Sequence, residues 1–299
     1  MANETTTTTI AGLMPSEYFA EMFIRYAHDK QVAMPLTRIE TLPERSGLTV
    51  QIQQATADTA AAITEGDDAG IQDMDIAGTD VTVGTAGLYY QVTKLAQRTN
   101  KLGPVGLLSL IAKFGAEFCV TLMESDLIAT FINADTDVGT TKTDATFANW
   151  LSAIYTLETA CVYGNLVAVV HPVQKSDIVT NLLTLTGTVL GSGQISQGLL
   201  AAREHDGFCG NLAGVDMYIS NLVATANVGE DRAGAMWANA NAQNGGNPEM
   251  AGFAMAVAWM PETTLDPQAV ALGTDVVVDC AYAVAETKGT YYVGIVTDA

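Results

Sequence analysis

The stretch PVGLLSLIAKFGAEFCVTLMESDLIATF, residues 104–131, decides the fold. Its apolar residues recur at helical spacing in two stripes: Leu107, Leu110, Ile111, Phe114, Phe118 and Leu122, then Val120, Met123, Leu127 and Phe131. Lys113, Glu117 and Glu124 share a polar side, and Pro104 suits a first helical turn. The pattern predicts one helix, about 42 Å long, along which the body of the protein is built.

A long β excursion precedes this helix. Residues 48–52 alternate apolar and polar, and strand-like composition resumes at 81–83 and 88–95. Between Thr56 and Asp80 the chain is rich in Ala, Gly and Asp and contains no Lys or Arg. The pattern predicts two long strands within 47–97, joined by an extended acidic loop, and a loop of this length is usually functional. Farther upstream come a Thr-rich arm, 1–15, and a short predicted helix, 16–30.

Smaller elements follow the long helix. A polar loop, 133–144, leads to a second amphipathic helix that Asp144 is expected to cap. An apolar strand, 166–170, turns at His171-Pro172 into a third helix, since proline is favoured in a first helical turn. Strands are expected at 214–221 and 253–259, a loop at 187–198, and a C-terminal hairpin in which 276–284 and 291–296 flank 287–290.

Charge and composition exclude several classes of protein. The 299 residues include 13 Lys and Arg against 33 Asp and Glu, a formal net charge of −20. So few cations cannot form a basic groove for nucleic acid. Hydrophobic residues make up 48%, which excludes a disordered chain. Only 15% of residues are charged, below the roughly 25% of ordinary soluble domains, so we expect much of the surface to contact a partner.

The termini and cysteines point to a reducing compartment. The first ten residues lack the basic and apolar regions of a secretory signal, and the apolar stretches are shorter than a membrane span. Cys119, Cys161, Cys209 and Cys280 form no C-x-x-C pair, so neither a zinc site nor a disulfide framework is indicated. We interpret all four as buried thiols.

The search for catalytic or metal-binding groups leaves only weak candidates. Residues 133–144 nearly match a calcium-binding loop, but the glycine falls one position late and the last ligand is Asp144 rather than Glu, which favours a plain solvated loop. His205 and Cys209 are only two ligands, and His171 is more typical of a cap. With no hydrolase or phosphate-binding motif, we predict neither an enzyme nor a cofactor.

The order of these elements resembles the major capsid proteins of tailed bacteriophages, with their Hong Kong 97-type capsid fold. ITEGDD (63–68) followed by TVGTAGLYYQVTKL (82–95) resembles the family's extended loop returning to the body. Residues 104–131 resemble its spine helix, VVHPVQKSD (169–177) the strand-to-helix corner of its axial domain, and LAGVDMYISN (212–221) the strand leading out of it. Each motif is degenerate; their order and spacing carry the resemblance.

The resemblance implies an α+β shell protein divided into five parts: an N-terminal arm and short helix (1–39), an extended β loop (40–100), a peripheral domain with the spine helix (101–160), an axial domain (161–265) and a returning C-terminal β segment (266–299). Such a protein would self-assemble as hexamers and pentamers into an icosahedral head, the virion capsid, in the host cytoplasm. It would enclose double-stranded DNA without sequence-specific binding, and it would not bind a membrane.

Two departures from the family refine these expectations. The loop between Thr56 and Asp80 contains no lysine, so the Lys–Asn crosslinks of one branch are not expected, and we predict a non-covalent shell. No long N-terminal assembly domain is present, so a separate scaffolding protein is expected, together with a portal and possible cement proteins. Charged residues near the loop are the candidate subunit contacts: Arg38, Arg45, Glu65, Asp67, Asp68, Lys94 and Arg98.

Two alternatives stay open. An encapsulin-type nanocompartment would share the fold, although the Thr-rich arm does not resemble a cargo-binding helix. An acidic surface-layer protein or adhesin would suit the composition, but the missing signal and the single long helix argue against it.

Overall fold

The fold is taken from a computed structural model of the 299-residue chain. The structure describes residues 4–5, 31–42, 47–55, 76–93, 103–186, 207–229, 231–241, 245–268 and 273–298. The predicted helix over 16–30 and the loop over 187–198 lie outside these residues.

The first sheet has five strands in the order β1-β5-β13-β12-β2. Their bounds are β1 Glu4–Thr5, β2 Arg38–Thr41, β5 Gly84–Thr93, β12 Phe253–Gln268 and β13 Gly273–Glu286. The two long strands β12 and β13 pair antiparallel at the centre, whereas β1 and β2 join the edges in parallel. Strands β3 (Thr49–Ala55) and β4 (Ile76–Thr82) form a separate antiparallel pair.

The second sheet has seven strands and follows the order β6-β14-β11-β7-β9-β8, with β10 paired to β11. Its strands are β6 Asp137–Val138, β7 Leu166–Val170, β8 Phe208–Leu212, β9 Val215–Ile219, β10 Thr225–Ala226, β11 Asp231–Ala238 and β14 Tyr292–Asp298. The parallel pairing of β7 with β9 is possible because a long crossover, which includes the helix Pro172–Thr186 and strand β8, separates them in the chain.

The predicted long helix is confirmed as α1, Gly103–Ala129, and a short 3-10 turn, Thr130–Asn133, extends it. One core cluster joins α1 to both sheets: Met123, Leu127 and Ile128 of the helix pack with Val278 of the first sheet and Val169 of the second. Where the sheets meet, the Phe131 ring lies 5.3 Å from Trp237 and 4.9 Å from Phe253, centroid to centroid. The spine helix therefore lies in the main core.

Helices α2 (Phe147–Thr159) and α3 (Pro172–Thr186) cover the other face of the seven-stranded sheet. Both helices were predicted, but the predicted cap of α2 was wrong: the Thr146 hydroxyl, rather than the Asp144 carboxylate, accepts the Asn149 N–H at 3.2 Å. Threonine at this position satisfies a first-turn donor as aspartate would.

The predicted C-terminal hairpin was wrong. Strands β13 and β14 belong to different sheets, and the 3-10 turn Gly289–Tyr291 carries the chain from one sheet to the other. The predicted boundary at 265/266 also differs from the division between sheets, because β12 pairs with β13 and β14 pairs with β11. Strands β8 and β11 were not predicted, because their sequences carry small residues and no clear alternation.

Two predictions of burial were also wrong. Glu124, placed on a polar helix face by its spacing, is only 1% exposed because a loop from outside the helix covers it. Cys161 is exposed on the turn after α2, where its φ of 56° is left-handed, whereas the other three cysteines are buried as predicted.

Candidate subunit interface

The β3–β4 pair is the base of the predicted extended loop. Seven residue pairs run from Thr49 opposite Thr82 to Ala55 opposite Ile76, and the connecting residues 56–75 lie outside those described. Its buried side chains Ile52, Val81 and Val83 pack on small residues of the first sheet: Ala254, Ala256 and Ala281. Ala254 and Ala256 point to this face of β12 while Met255 and Val257 point to α1, as strand alternation requires.

The opposite face of this loop base is exposed. Thr49, Gln51 and Thr82 lie on that face, and the pair has two strands only in the described part of the chain. A two-stranded ribbon is marginal in water on its own. The ribbon is therefore held to the body at one end by the alanine face of the sheet.

The segment that follows the N-terminal arm is fixed to the spine helix. The Glu124 carboxylate accepts hydrogen bonds from the backbone N–H groups of Val32, at 3.0 Å, and Met34, at 3.1 Å, and from that of Ala33 between them. Burial raises the pKa of Glu124, and the three backbone donors act in the opposite direction. The segment that follows the arm is therefore held by a buried anchor that spacing within the helix could not reveal.

Arg38 is the one predicted contact residue among those described. It lies on the edge strand β2, and its guanidinium Nε donates to Glu40 Oε1 at 2.6 Å within the same chain. It lines a surface cleft of about 510 Å³ with Ile39 and Glu249. Its expected role in contacting a neighbour stays a prediction. The other predicted contacts lie outside the described residues: Arg45, Glu65, Asp67, Asp68, Lys94 and Arg98.

Large apolar side chains are exposed on several faces. On α1, Leu110 and Phe114 are exposed one turn apart, and on α2 Leu151 and Tyr155 repeat the arrangement, with 69% of Tyr155 exposed. The i, i+4 spacing of both pairs is visible in the sequence, yet the sequence does not tell an exposed stripe from a buried one. Clustered exposed apolar residues are typical of interaction surfaces.

The weak calcium candidate has a different arrangement. Asp137 lies in β6, paired with Gly294 of β14, and the Asn133 amide donates to Glu286 at 2.9 Å. These candidate ligands therefore do not converge on one position that a cation could occupy. Across the described ranges, no group of three His, Cys, Asp or Glu residues could hold a metal ion.

The far end of this loop is held by a buried aspartate. Asp231, fully buried, accepts the Lys142 backbone N–H at 2.8 Å and the Asn227 amide at 2.5 Å. These donors lower the pKa of Asp231, with the Asn227 contact contributing most. The geometry is that of a structural anchor.

His171 acts as a cap, in line with its expected role. Its Nδ1 accepts the Val173 N–H at 3.3 Å at the start of α3, and burial, then the charge of Arg232, lowers its pKa. Beside it Gln174, completely buried, donates to the carbonyls of Arg232 and Ile295, thereby tying α3 to β11 and β14. These contacts give both His171 and Gln174 a structural role.

None of the described helices combines the length and apolar character needed to cross a membrane.

Comparison with known proteins rests on structure alone. No protein-family model matches the chain, and no curated protein matches its sequence. The structure is similar to the capsid of Ralstonia phage GP4, with a TM-score of 0.65 at 11% identity over 90% of this chain and 92% of that chain. It is also similar to a protein of Mycobacterium phage Che8, with a TM-score of 0.60 at 17% identity over 99% and 92%.

A third likeness is to a virus-like particle from Pyrococcus furiosus, with a TM-score of 0.56 at 9% identity over 94% of this chain and 98% of that chain. At such low identities the likenesses establish the fold. They cover 90–99% of this chain and 92–98% of the matched chains, so nearly the whole chain shares this fold.

Proposed function

From the premise that this chain has the Hong Kong 97-type capsid fold, α+β as expected, we propose that it is the major capsid protein of a tailed bacteriophage. It would self-assemble into the icosahedral head that encloses double-stranded DNA. The observation that carries the proposal is that the match covers 92% of the chain of the Ralstonia phage GP4 capsid.

The geometry of the loop base supports a role in assembly. A long excursion that begins as the β3–β4 ribbon needs another surface to lie on, because two strands alone bury too little. A neighbouring copy would supply that surface. Exposed apolar pairs on α1 and α2 would be covered in the same way. The low charged fraction of 15% agrees with a subunit that buries several faces against copies of itself.

The net charge of −20 supports enclosure of DNA rather than binding to it. An acidic wall repels phosphates, so DNA can slide as it is packed. A cationic lining would retain the DNA and slow packing. Sequence-specific recognition is not part of the proposal.

Within this role the parts of the chain have separate tasks. The five-stranded sheet with α1 would be the peripheral domain, and the seven-stranded sheet with α2 and α3 the axial domain that closes hexamers and pentamers. This division departs from the expected one, which put α2 in the peripheral domain (101–160) and β14 in the returning segment (266–299), because both pack with the seven-stranded sheet. The arm and extended loop would reach neighbours. A scaffolding protein, a portal and cement proteins are the proposed partners. Assembly would occur in the host cytoplasm and the product would be the virion.

A cellular compartment shell is the second candidate, because the fold is also similar to that of the Pyrococcus furiosus virus-like particle. Its TM-score is lower than that of the Ralstonia phage GP4 capsid. Neighbouring genes distinguish the two candidates: terminase and portal genes indicate a phage, whereas a gene for an encapsulated enzyme indicates a compartment.

Expression of the full chain, alone and with its neighbouring genes, tests the proposal by negative-stain electron microscopy. Closed shells are expected, with DNA-filled heads in lysates of an induced host. A protein that stays monomeric at high concentration, with and without the neighbouring gene products, would contradict a shell role.

A further inference from the structure

The spine helix α1 packs along the central strand β13. Gly115 faces Val278, Cys119 faces Cys280, and Asp126 accepts the Tyr282 hydroxyl at 2.6 Å. Four helical residues advance about 6 Å and two strand residues advance nearly 7 Å, so the residue one turn after Gly115 lies opposite the residue two positions after Val278. A Cβ added at Gly115 would lie 2.9 Å from the Val278 Cγ2 atom. The glycine therefore permits a close approach one turn before the cysteines.

This approach brings two thiols together in the core. Cys119 and Cys280 are both fully buried and in hydrogen-bonding contact with each other. The contact with Cys280 and burial raise the pKa of Cys119, while the contact with Cys119 lowers the pKa of Cys280. The contact places the two sulfurs side by side, and either thiol can donate to the other.

A surface cleft lies beside the chain neighbours of the pair. Its volume is about 450 Å³, and its wall includes Ala86, Leu122 and Tyr282 but neither cysteine. Ala86 lies directly opposite Cys280 in the strand ladder, Tyr282 is two residues beyond Cys280, and Leu122 lies within one turn of Cys119. Residues adjacent to both cysteines thus line the cleft, while the two thiols themselves are fully buried.

We propose that Cys119 and Cys280 form an oxidisable dithiol site, which hydrogen peroxide converts to a disulfide between α1 and β13. One of the two sulfurs attacks one peroxide oxygen, the O–O bond breaks and water leaves, giving a sulfenic acid. The other sulfur then attacks that sulfur and expels a second water. Two thiols and one hydrogen peroxide thus give one disulfide and two waters, and both thiol protons end in water.

The other two cysteines are placed differently. Cys161 is exposed after α2, and Cys209 lies in β8 of the other sheet, where its thiol donates to the Gly207 carbonyl at 3.5 Å. Replacing both with serine leaves a chain whose thiols are only Cys119 and Cys280. This background removes intermolecular disulfides through the exposed Cys161.

The test treats the folded full-length chain in this background with hydrogen peroxide, then counts thiols after unfolding. The count should fall from two to zero, with a mass loss of two hydrogen atoms and no dimer on a non-reducing gel. The thermal midpoint should rise by roughly 5–10 °C, because the closed loop is long. Added Cys119→Ala should leave a chain with no intrachain crosslink and no such rise.

Peptide mapping of the oxidised wild-type chain gives a second measurement that does not depend on the variants folding. A fragment linking Cys119 to Cys280 supports the site. If Cys119 and Cys280 both stay free after treatment, or if either sulfur is oxidised to sulfinic acid without a crosslink, the proposal is overturned. Both measurements can be made on unassembled protein, so the outcome is independent of the shell function.

Discussion

The Glu124 carboxylate accepts a hydrogen bond from the backbone N–H of Met34, which lies 90 positions earlier in the chain, at 3.1 Å. Through this contact and the two from Val32 and Ala33, the segment that follows the N-terminal arm is fixed to the spine helix. A carboxylate with 1% exposure is costly to bury unless donors surround it. The three backbone N–H groups are the donors that compensate for the burial of this carboxylate.

Glu124→Gln should lower the free energy of unfolding by about 1–3 kcal/mol, because the new amide group presents a donor to a buried backbone N–H. Urea denaturation followed by circular dichroism measures the change. Glu158→Gln, on the exposed side of α2, is the matched control and should change stability little. Equal effects from both substitutions would contradict the anchor role of Glu124.

Gly115→Ala should destabilise the protein by about 1–3 kcal/mol. In an unhindered helix the same change would stabilise by about 1 kcal/mol, but here the new methyl meets Val278. Thermal unfolding of the variant measures the loss. Val278→Ala combined with Gly115→Ala should recover part of the lost stability. If the stability changes of the two single substitutions simply add in the double variant, the two residues are not in steric contact.

Asp231→Asn should change how stability depends on pH. The folded state keeps Asp231 ionised to lower pH than the unfolded chain does, since hydrogen-bond donors lower its pKa. Its contribution is therefore fully present above the unfolded value of about 4 and is lost as pH falls through the folded value. The difference in stability between wild type and variant, measured by urea denaturation, should shrink below pH 4. A difference that stays constant down to pH 2 would be inconsistent with this assignment.

Tyr155→Glu together with Leu151→Glu should reduce the yield of assembled particles by about tenfold or more, because charges would be placed in an apolar contact. Secondary structure and unfolding midpoint of the monomer should be unchanged, since both side chains are exposed. Sucrose-gradient sedimentation measures the yield. Ser152→Glu with Thr159→Glu, on the same exposed side of α2, controls for added charge alone. Normal particle yield from the first pair would show that this face is not an interface.

Boiling mature particles in denaturant and reductant should release monomer only, because the stretch between Thr56 and Asp80 has no lysine to form an isopeptide bond. A denaturing gel checks this outcome. A ladder of covalent oligomers would contradict the prediction of a non-covalent shell.

Local elements were predictable because their signals are local. The stripes of α1 repeat every three or four residues, and Pro172 marks the start of α3, so each pattern lies within one segment. The order of these segments was enough to predict the fold. The site was less predictable: of the proposed contacts only Arg38 is described, and it pairs with Glu40.

The sequence by itself determined the long helix, the acidic loop and a surface with few charges, because periodicity and composition fix these properties without reference to distant residues. Only the tertiary structure decided which strands pair, that β13 and β14 separate into two sheets, and that Glu124 is buried. These outcomes depend on contacts such as that of Gln91 with Asp275, 184 positions apart. Such a contact depends on how the whole chain packs.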